Sequence, residues 1–166
     1  MGINETFIAE LKQEAASTRK YLQRVPMDKP DYAPHEKSMK LGNLANHVAE
    51  LPGWTMVTMD QDELDFAKYD YKPEIPNSTE DLLKKFDENV SKAVECLKKS
   101  DDAKFMQNWT MRQGEQIFFT LPKAAVLRSF CFNHNYHHRA QLGVYLRLLD
   151  IPLPGIYGPS ADESNM

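Results

Sequence analysis

The chain predicts an all-α protein, a four-helix bundle with one short β-hairpin between its third and fourth helices. Three observations predict it. Four stretches carry apolar residues at helical spacing. Breakers separate them: Pro26, Pro73, Pro76 and Ser100–Asp102. The 166 residues amount to about one domain at roughly 150 residues each, so 1–166 is read as a single domain.

The first helix is expected from Asn4 to Arg24, where Phe7, Leu11, Thr18 and Leu22 form a stripe widened by Ile8, Ala15 and Val25. Pro26 ends it, and a Pro- and Asp-containing loop follows to Pro34. The second is expected from Lys37 to Met59, with Leu41, Leu44, Val48 and Leu51 on its apolar face and a kink or break at Pro52-Gly53. Residues from Asp60 to Asn77, with Tyr69, Tyr71, Pro73 and Pro76, read as an ordered loop. The third helix starts at Asn77 or Ser78, where Ser78 and Asp81 approximate a capping box. Its stripe is Leu82, Leu83, Phe86, Val90, Ala93, Val94 and Leu97. Phe105, Trp109 and Met111, a Gln113-Gly114-Glu115 turn, and Ile117-Phe118-Phe119 then read as a hairpin that must lean on the helices. The fourth helix is expected from Pro122 to Leu149, before a Pro/Gly-rich tail from Ile151 that is expected to fold back over the bundle or a partner subunit.

Composition mainly excludes. Twenty Lys and Arg against 24 Asp and Glu leave a net charge of -4, which gives no general attraction to nucleic acid or anionic membranes. No apolar run approaches the roughly 18 residues of a membrane span. No basic region followed by an apolar block opens the chain, so a cytoplasmic location is expected. Cys96 and Cys131 are far apart and outside any C-x-x-C, in keeping with a reducing compartment. Met1-Gly2 with Thr6 fits a myristoylation pattern that arises often by chance, and Asn4, Asn77 and Asn108 open N-x-[ST] triplets read as caps and turns.

Three of the five histidines fall within five residues, at 134, 137 and 138. With Leu127 at zero and about 100° per residue, Tyr145 falls near 0°, Cys131 near 40°, Leu142 near 60° and Phe130 near 300°, a buried stripe. His134, near 340°, and His138, near 20°, straddle its centre; His137, near 280°, lies on the flank. Arg128, Tyr136, Arg139 and Arg147 take the other side. Two His at i and i+4 on a buried face can point at one metal ion. His47, one turn from Leu44 and Leu51 on the second helix, is the natural third ligand. His35 follows Pro34 in a loop and reads as solvated. Three His leave a coordination position open, which suits catalysis, and imidazole alone does not choose among zinc, nickel and iron(II). Gln141 and Tyr145 share that face. They either orient ligands or polarise a substrate, or are polar tips at the mouth of the bundle. Glu50 and Glu36 are the carboxylates nearest a ligand region in sequence; neither is assigned as a base.

Asn133-His134-x-x-His137-His138-Arg139-Ala140-Gln141-Leu142, then Tyr145-Leu146-Arg147-Leu148 and Ile156-Tyr157-Gly158-Pro159-Ser160-Ala161-Asp162-Glu163, resembles the closing segment of DinB proteins, of the DinB/YfiT-like metalloenzyme superfamily. Leu44-Ala45-Asn46-His47-Val48-Ala49-Glu50-Leu51-Pro52-Gly53-Trp54 is similar to that family's first ligand region. Ala140 stands where the family usually has Gly. The resemblance implies an up-down-down-up four-helix bundle, one divalent metal on His47, His134 and His138, and a homodimer. It also implies varied chemistry: some branches are thiol-dependent transferases or isomerases, others are only stress- or damage-associated. Thiol S-transfer using a low-molecular-weight thiol is the reading taken forward. Metal-dependent hydrolysis and a non-catalytic metal-binding module are the alternatives, and DNA binding is disfavoured by charge.

Overall fold

The structure is a computed structural model and describes residues 2–68 and 71–163. Met1, Tyr69 of the aromatic loop and the last three residues of the tail lie outside the described residues.

Helix α1 runs Ile3–Leu22 and buries Phe7, Leu11, Glu14, Thr18 and Leu22 along one stripe. Its first N–H groups are satisfied from a distance and locally: Ile3 N–H donates to Asp102 Oδ1 at 2.9 Å, and Gly2 N–H to Glu5 at 3.1 Å. The second helix starts later than its sequence suggests. Residues 37–40 stay in a turn, where Ser38 N–H donates to the His35 carbonyl and Lys37 N–H to His35 Nδ1. Leu41 N–H, opening α2 (Leu41–Glu50), donates to the Tyr32 carbonyl at 2.8 Å. Pro52 has no N–H to continue the ladder. The chain therefore tightens into a 3₁₀ turn, Leu51–Gly53, and resumes as α3 (Trp54–Asp60).

Helix α4 (Thr79–Lys98) begins at Ser78, whose Oγ accepts the Asp81 N–H at 3.0 Å. After it comes an unexpected short helix, α5 (Asp102–Met106), capped by Asp101. Phe105, read from sequence as part of the hairpin, belongs to α5 and stacks on Phe7 with ring centroids 5.6 Å apart. The hairpin is β2 (Asn108–Gln113) and β3 (Gln116–Pro122), turning at Gly114 with φ +59, a conformation glycine adopts without steric cost.

A third strand, β1 (Glu63–Asp65), pairs parallel to β2 with Leu64 opposite Met111, so the sheet order is β1-β2-β3. The all-α expectation is thus corrected: the protein is mostly helical with a small three-stranded sheet. Three residues are too few to show a period, so the sequence of this segment predicts only a loop. Asp65 locks strand to hairpin by accepting Gly114 N–H at 2.8 Å.

The last helical stretch is continuous from Lys123 but not uniform. Helix α6 (Lys123–Val126) leads into a π-helical turn, Leu127–Asn133, and then α7 (His134–Leu148). The long helices pack α1 on α4, α4 on α2, α2 on α7 and α7 on α1. Leu22, Leu41, Leu44, Val48, Leu82, Phe86, Leu142 and Leu146 fill one core; Phe7, Leu11, Met59, Leu97, Phe105 and Leu127 fill a second. The tail folds back on α1 and α7. The Tyr157 hydroxyl donates to Glu14 and accepts from Arg139, both at 2.7 Å, and Asp162 pairs with Arg147. Among the described residues, no helix is long and apolar enough to cross a membrane.

Candidate metal centre

The π turn decides how α7 meets its neighbours. A wide turn absorbs one extra residue, retarding the phase of everything after it by about 100°. The buried positions of α7 are consequently Asn135, Arg139, Leu142, Gly143, Tyr145 and Leu146. This corrects two placements made by running an unbroken α-helical phase through the turn. Arg139 is not on the outer side: it is 4% exposed and pairs with Glu14 at 2.7 Å between α7 and α1. His134 and His138 are not at the centre of the buried stripe but half-buried on its flank, towards α2.

From that flank they meet His47. The three histidines each offer a ring nitrogen, all within 4.8 Å of one another. His47 Nε2 lies 3.3 Å from His134 Nε2. Ring centroids are 5.0 Å apart for His47–His134, 4.6 Å for His47–His138 and 4.7 Å for His134–His138. The other nitrogens of the α7 pair are occupied. His134 Nδ1 is 3.2 Å from the Phe130 carbonyl, within the π turn, and His138 Nδ1 is 2.7 Å from Gln141 Oε1. A carbonyl oxygen only accepts, so both rings carry their proton on Nδ1 and leave the Nε2 lone pair free.

Burial holds the cluster neutral. The His47 pKa is lowered to about 4, first by desolvation, then by the neighbouring His138 and His134, with Glu50 pulling weakly upward. Desolvation also lowers His134 and His138, against the hydrogen bonds their rings donate to the Phe130 carbonyl and Gln141 Oε1. Three neutral imidazoles converging through sp² nitrogens form a donor set that fits a borderline divalent ion. Aromatic rings wall one side: Trp54 meets Phe130 edge-on at 5.2 Å, and Phe130 lies 5.6 Å from His134.

The remaining expected site residues separate. Gln141 is beside the centre, orienting His138. Tyr145 lies two turns beyond His138; it is 8% exposed and its hydroxyl donates to the Met39 carbonyl at 2.8 Å. His137 is exposed, against the His138 ring at 4.9 Å, and His35 is exposed in its loop. Glu50 sits near His47 but its carboxylate is taken by Lys85 and the Tyr71 hydroxyl; Glu36 is exposed. Sequence reading missed the Phe130 carbonyl, because a main-chain acceptor has no residue type to betray it. It also missed the Glu14–Arg139 pair. Glu14 does interrupt the apolar stripe of α1 between Leu11 and Thr18, and that was the available signal.

The comparisons agree with this fold. The family model for the DinB family matches residues 1–165, and the chain belongs to that family. It is 26% identical over 157 residues to the uncharacterized protein YrdA of Bacillus subtilis (strain 168), covering 95% of this chain and 89% of that protein. A DinB-like protein from Bacillus cereus ATCC 10987 superposes with a TM-score of 0.71 at 20% identity, over 92% of this chain and 97% of its own. The DinB-like protein YjoA of B. subtilis does so with a TM-score of 0.70 at 17% identity, over 93% and 99%.

Proposed function

We propose that this chain is a metal-dependent enzyme whose divalent ion, zinc or nickel with iron as a further fit, is held by His47, His134 and His138, and that it transfers a low-molecular-weight thiol to an electrophilic substrate. The observation that carries the reading is the set of three neutral imidazoles, two with Nδ1 committed elsewhere and Nε2 free. A divalent ion there supplies Lewis acidity, which favours thiolate over thiol at neutral pH. The chain's own residues do the rest. Gln141 and the Phe130 carbonyl keep two rings in one tautomer, and the Trp54–Phe130 wall limits water on one side. Thiol transfer is preferred to hydrolysis because no carboxylate joins the three-His cluster among the described residues, and nearby Glu50 is engaged by Lys85 and Tyr71. The same reading takes α1, α2–α3, α4 and α6–α7 as an up-down-down-up four-helix bundle working in the cytoplasm.

Elemental analysis of the purified protein and of His47→Ala, His134→Ala and His138→Ala tests the centre. The wild type and His137→Ala are expected to hold one ion per chain and the three variants little. Three variants that all keep stoichiometric metal would refute the ligand set. Conjugation of a small thiol to monochlorobimane by zinc- or nickel-loaded protein tests the reaction. No turnover across several thiols, with bound metal verified, would sink thiol transfer while leaving the centre intact.

A further inference from the structure

A single buried hydrogen bond joins the neighbours of two of the converging histidines. Asn135, one residue after His134 on α7, donates from Nδ2 to the main-chain carbonyl of Val48, one residue after His47 on α2, at 3.1 Å. Both residues are buried, Val48 completely. Pro52 is the reason that this carbonyl is available. In an α-helix the carbonyl of residue 48 accepts the N–H of residue 52, and proline has none. A buried carbonyl without a donor is costly, and α7 supplies the donor. The amide is also held the right way round. Arg139 Nη1, paired with Glu14 at 2.7 Å, donates to Thr18 Oγ1 at 3.2 Å, and a guanidinium only donates. The Thr18 hydroxyl gives its own proton to Asn135 Oδ1 at 3.2 Å, which turns Nδ2 towards Val48. One directed relay thus runs from Arg139 through Thr18 and Asn135 to the Val48 carbonyl.

We infer that Asn135 is a positioning residue for the metal centre: its bond to the Val48 carbonyl fixes how α2 stands along α7, and so holds His47 where it can share one ion with His134 and His138. The inference rests on the three-histidine reading of the centre. A zinc–imidazole bond is about 2.0–2.1 Å long, so ligands from two helices need those helices in one register. The apolar contacts of their shared core, among Leu44, Val48, Leu142 and Leu146, are non-directional and resist sliding only weakly. A buried hydrogen bond has a preferred length and angle, and this one acts one residue from a ligand on each helix. A second asparagine provides the matched comparison. Asn89 donates to the next carbonyl of α2, Ala49, at 3.0 Å, but it comes from α4, which carries no histidine.

Two readouts on the full chain test it: zinc affinity by chelator competition, and the visible absorption of bound cobalt(II), which reports ligand geometry. Asn135→Leu is close in size but has no donor. It is expected to weaken zinc binding by about 10-fold or more, with stoichiometry unchanged, and to alter the cobalt bands, while circular dichroism shows retained helicity. Asn89→Leu loses an equivalent bond and is expected to leave both readouts as in the wild type. Equal zinc affinity in wild type and Asn135→Leu overturns the proposal and leaves the three-histidine centre standing. An equal loss in Asn89→Leu also overturns it, since any loosening of α2 would then suffice. Should Asn135→Leu not fold, Thr18→Val keeps the amide and removes the proton that orients it. Weaker zinc binding is expected there too, and a folded Thr18→Val with unchanged affinity overturns the proposal. A wild type that takes up no zinc or cobalt refutes the centre itself, and the proposal with it.

Discussion

The side chain of Gln141 illustrates how one residue serves a site without touching its centre. Its Oε1 fixes the His138 tautomer at 2.7 Å. Removing such an acceptor leaves the ring free to rotate and lowers its basicity, and outer-sphere partners of this kind are generally worth about 10–100-fold in metal affinity. Gln141→Ala is therefore expected to weaken zinc affinity by about that factor with stoichiometry unchanged. Competition against a chromogenic chelator measures it, and an unchanged affinity would show that the bond does not orient the ring. Gln141 was legible in sequence because it lies three residues from His138 on one helix, where spacing alone sets proximity. Tyr145 shared that phase, yet its hydroxyl goes to Met39, which no spacing rule connects to it.

At the scale of elements, junctions matter more than helix centres. Lys123 opens α6 and is 2% exposed, with its ammonium donating to the Met59 carbonyl at 3.0 Å and the Gln61 carbonyl at 2.8 Å. It thereby closes the C-terminal end of α3, whose last carbonyls have no partner within their own helix. Lys123→Met retains most of the stem volume but leaves those acceptors buried and unpaired. It is expected to cost about 3–6 kcal/mol, from two charge-assisted bonds at about 1.5–3 kcal/mol each. Urea unfolding checks it, and a change below about 0.5 kcal/mol, the size of an ordinary surface substitution, would remove the lysine from this role. The cores of α1 and α4 followed from their apolar stripes. The π turn before α7 did not, since a wide turn has no residue signature in Leu127–Asn133 and betrays itself only through the phase shift that buries Arg139.

The whole molecule should register the histidine cluster as a pH dependence of stability. In the metal-free fold His47 titrates near 4, against about 6.5 in an unfolded chain. The unfolded state therefore binds more protons between these values, so stability is full above about pH 6.5 and falls as pH drops towards about 4. After discounting for the partly exposed rings, the loss is on the order of 2 kcal/mol. Urea midpoints from pH 7.5 down to 4.5 should fall more steeply for metal-free wild type than for His47→Ala; parallel curves would contradict it. Zinc held by the three histidines would require the folded, neutral cluster. At 100 times its dissociation constant it should add about 2.7 kcal/mol near pH 7.5, seen as a raised Tm, and much less at pH 5.

By itself, the sequence determined where most of the long helices lie, that a hairpin turns at Gly114, and that His47, His134 and His138 are the three histidines to bring together. Those results rest on local rules, since apolar period, cap residues, turn glycine and i, i+4 spacing act within one or two helical turns. Only the tertiary structure decided that α7 is rotated by a π turn, that β1 joins the hairpin in parallel, and that Arg139 pairs inward with Glu14. Each depends on residues far apart in the chain, where the free energy of packing selects an arrangement that no short window of sequence encodes.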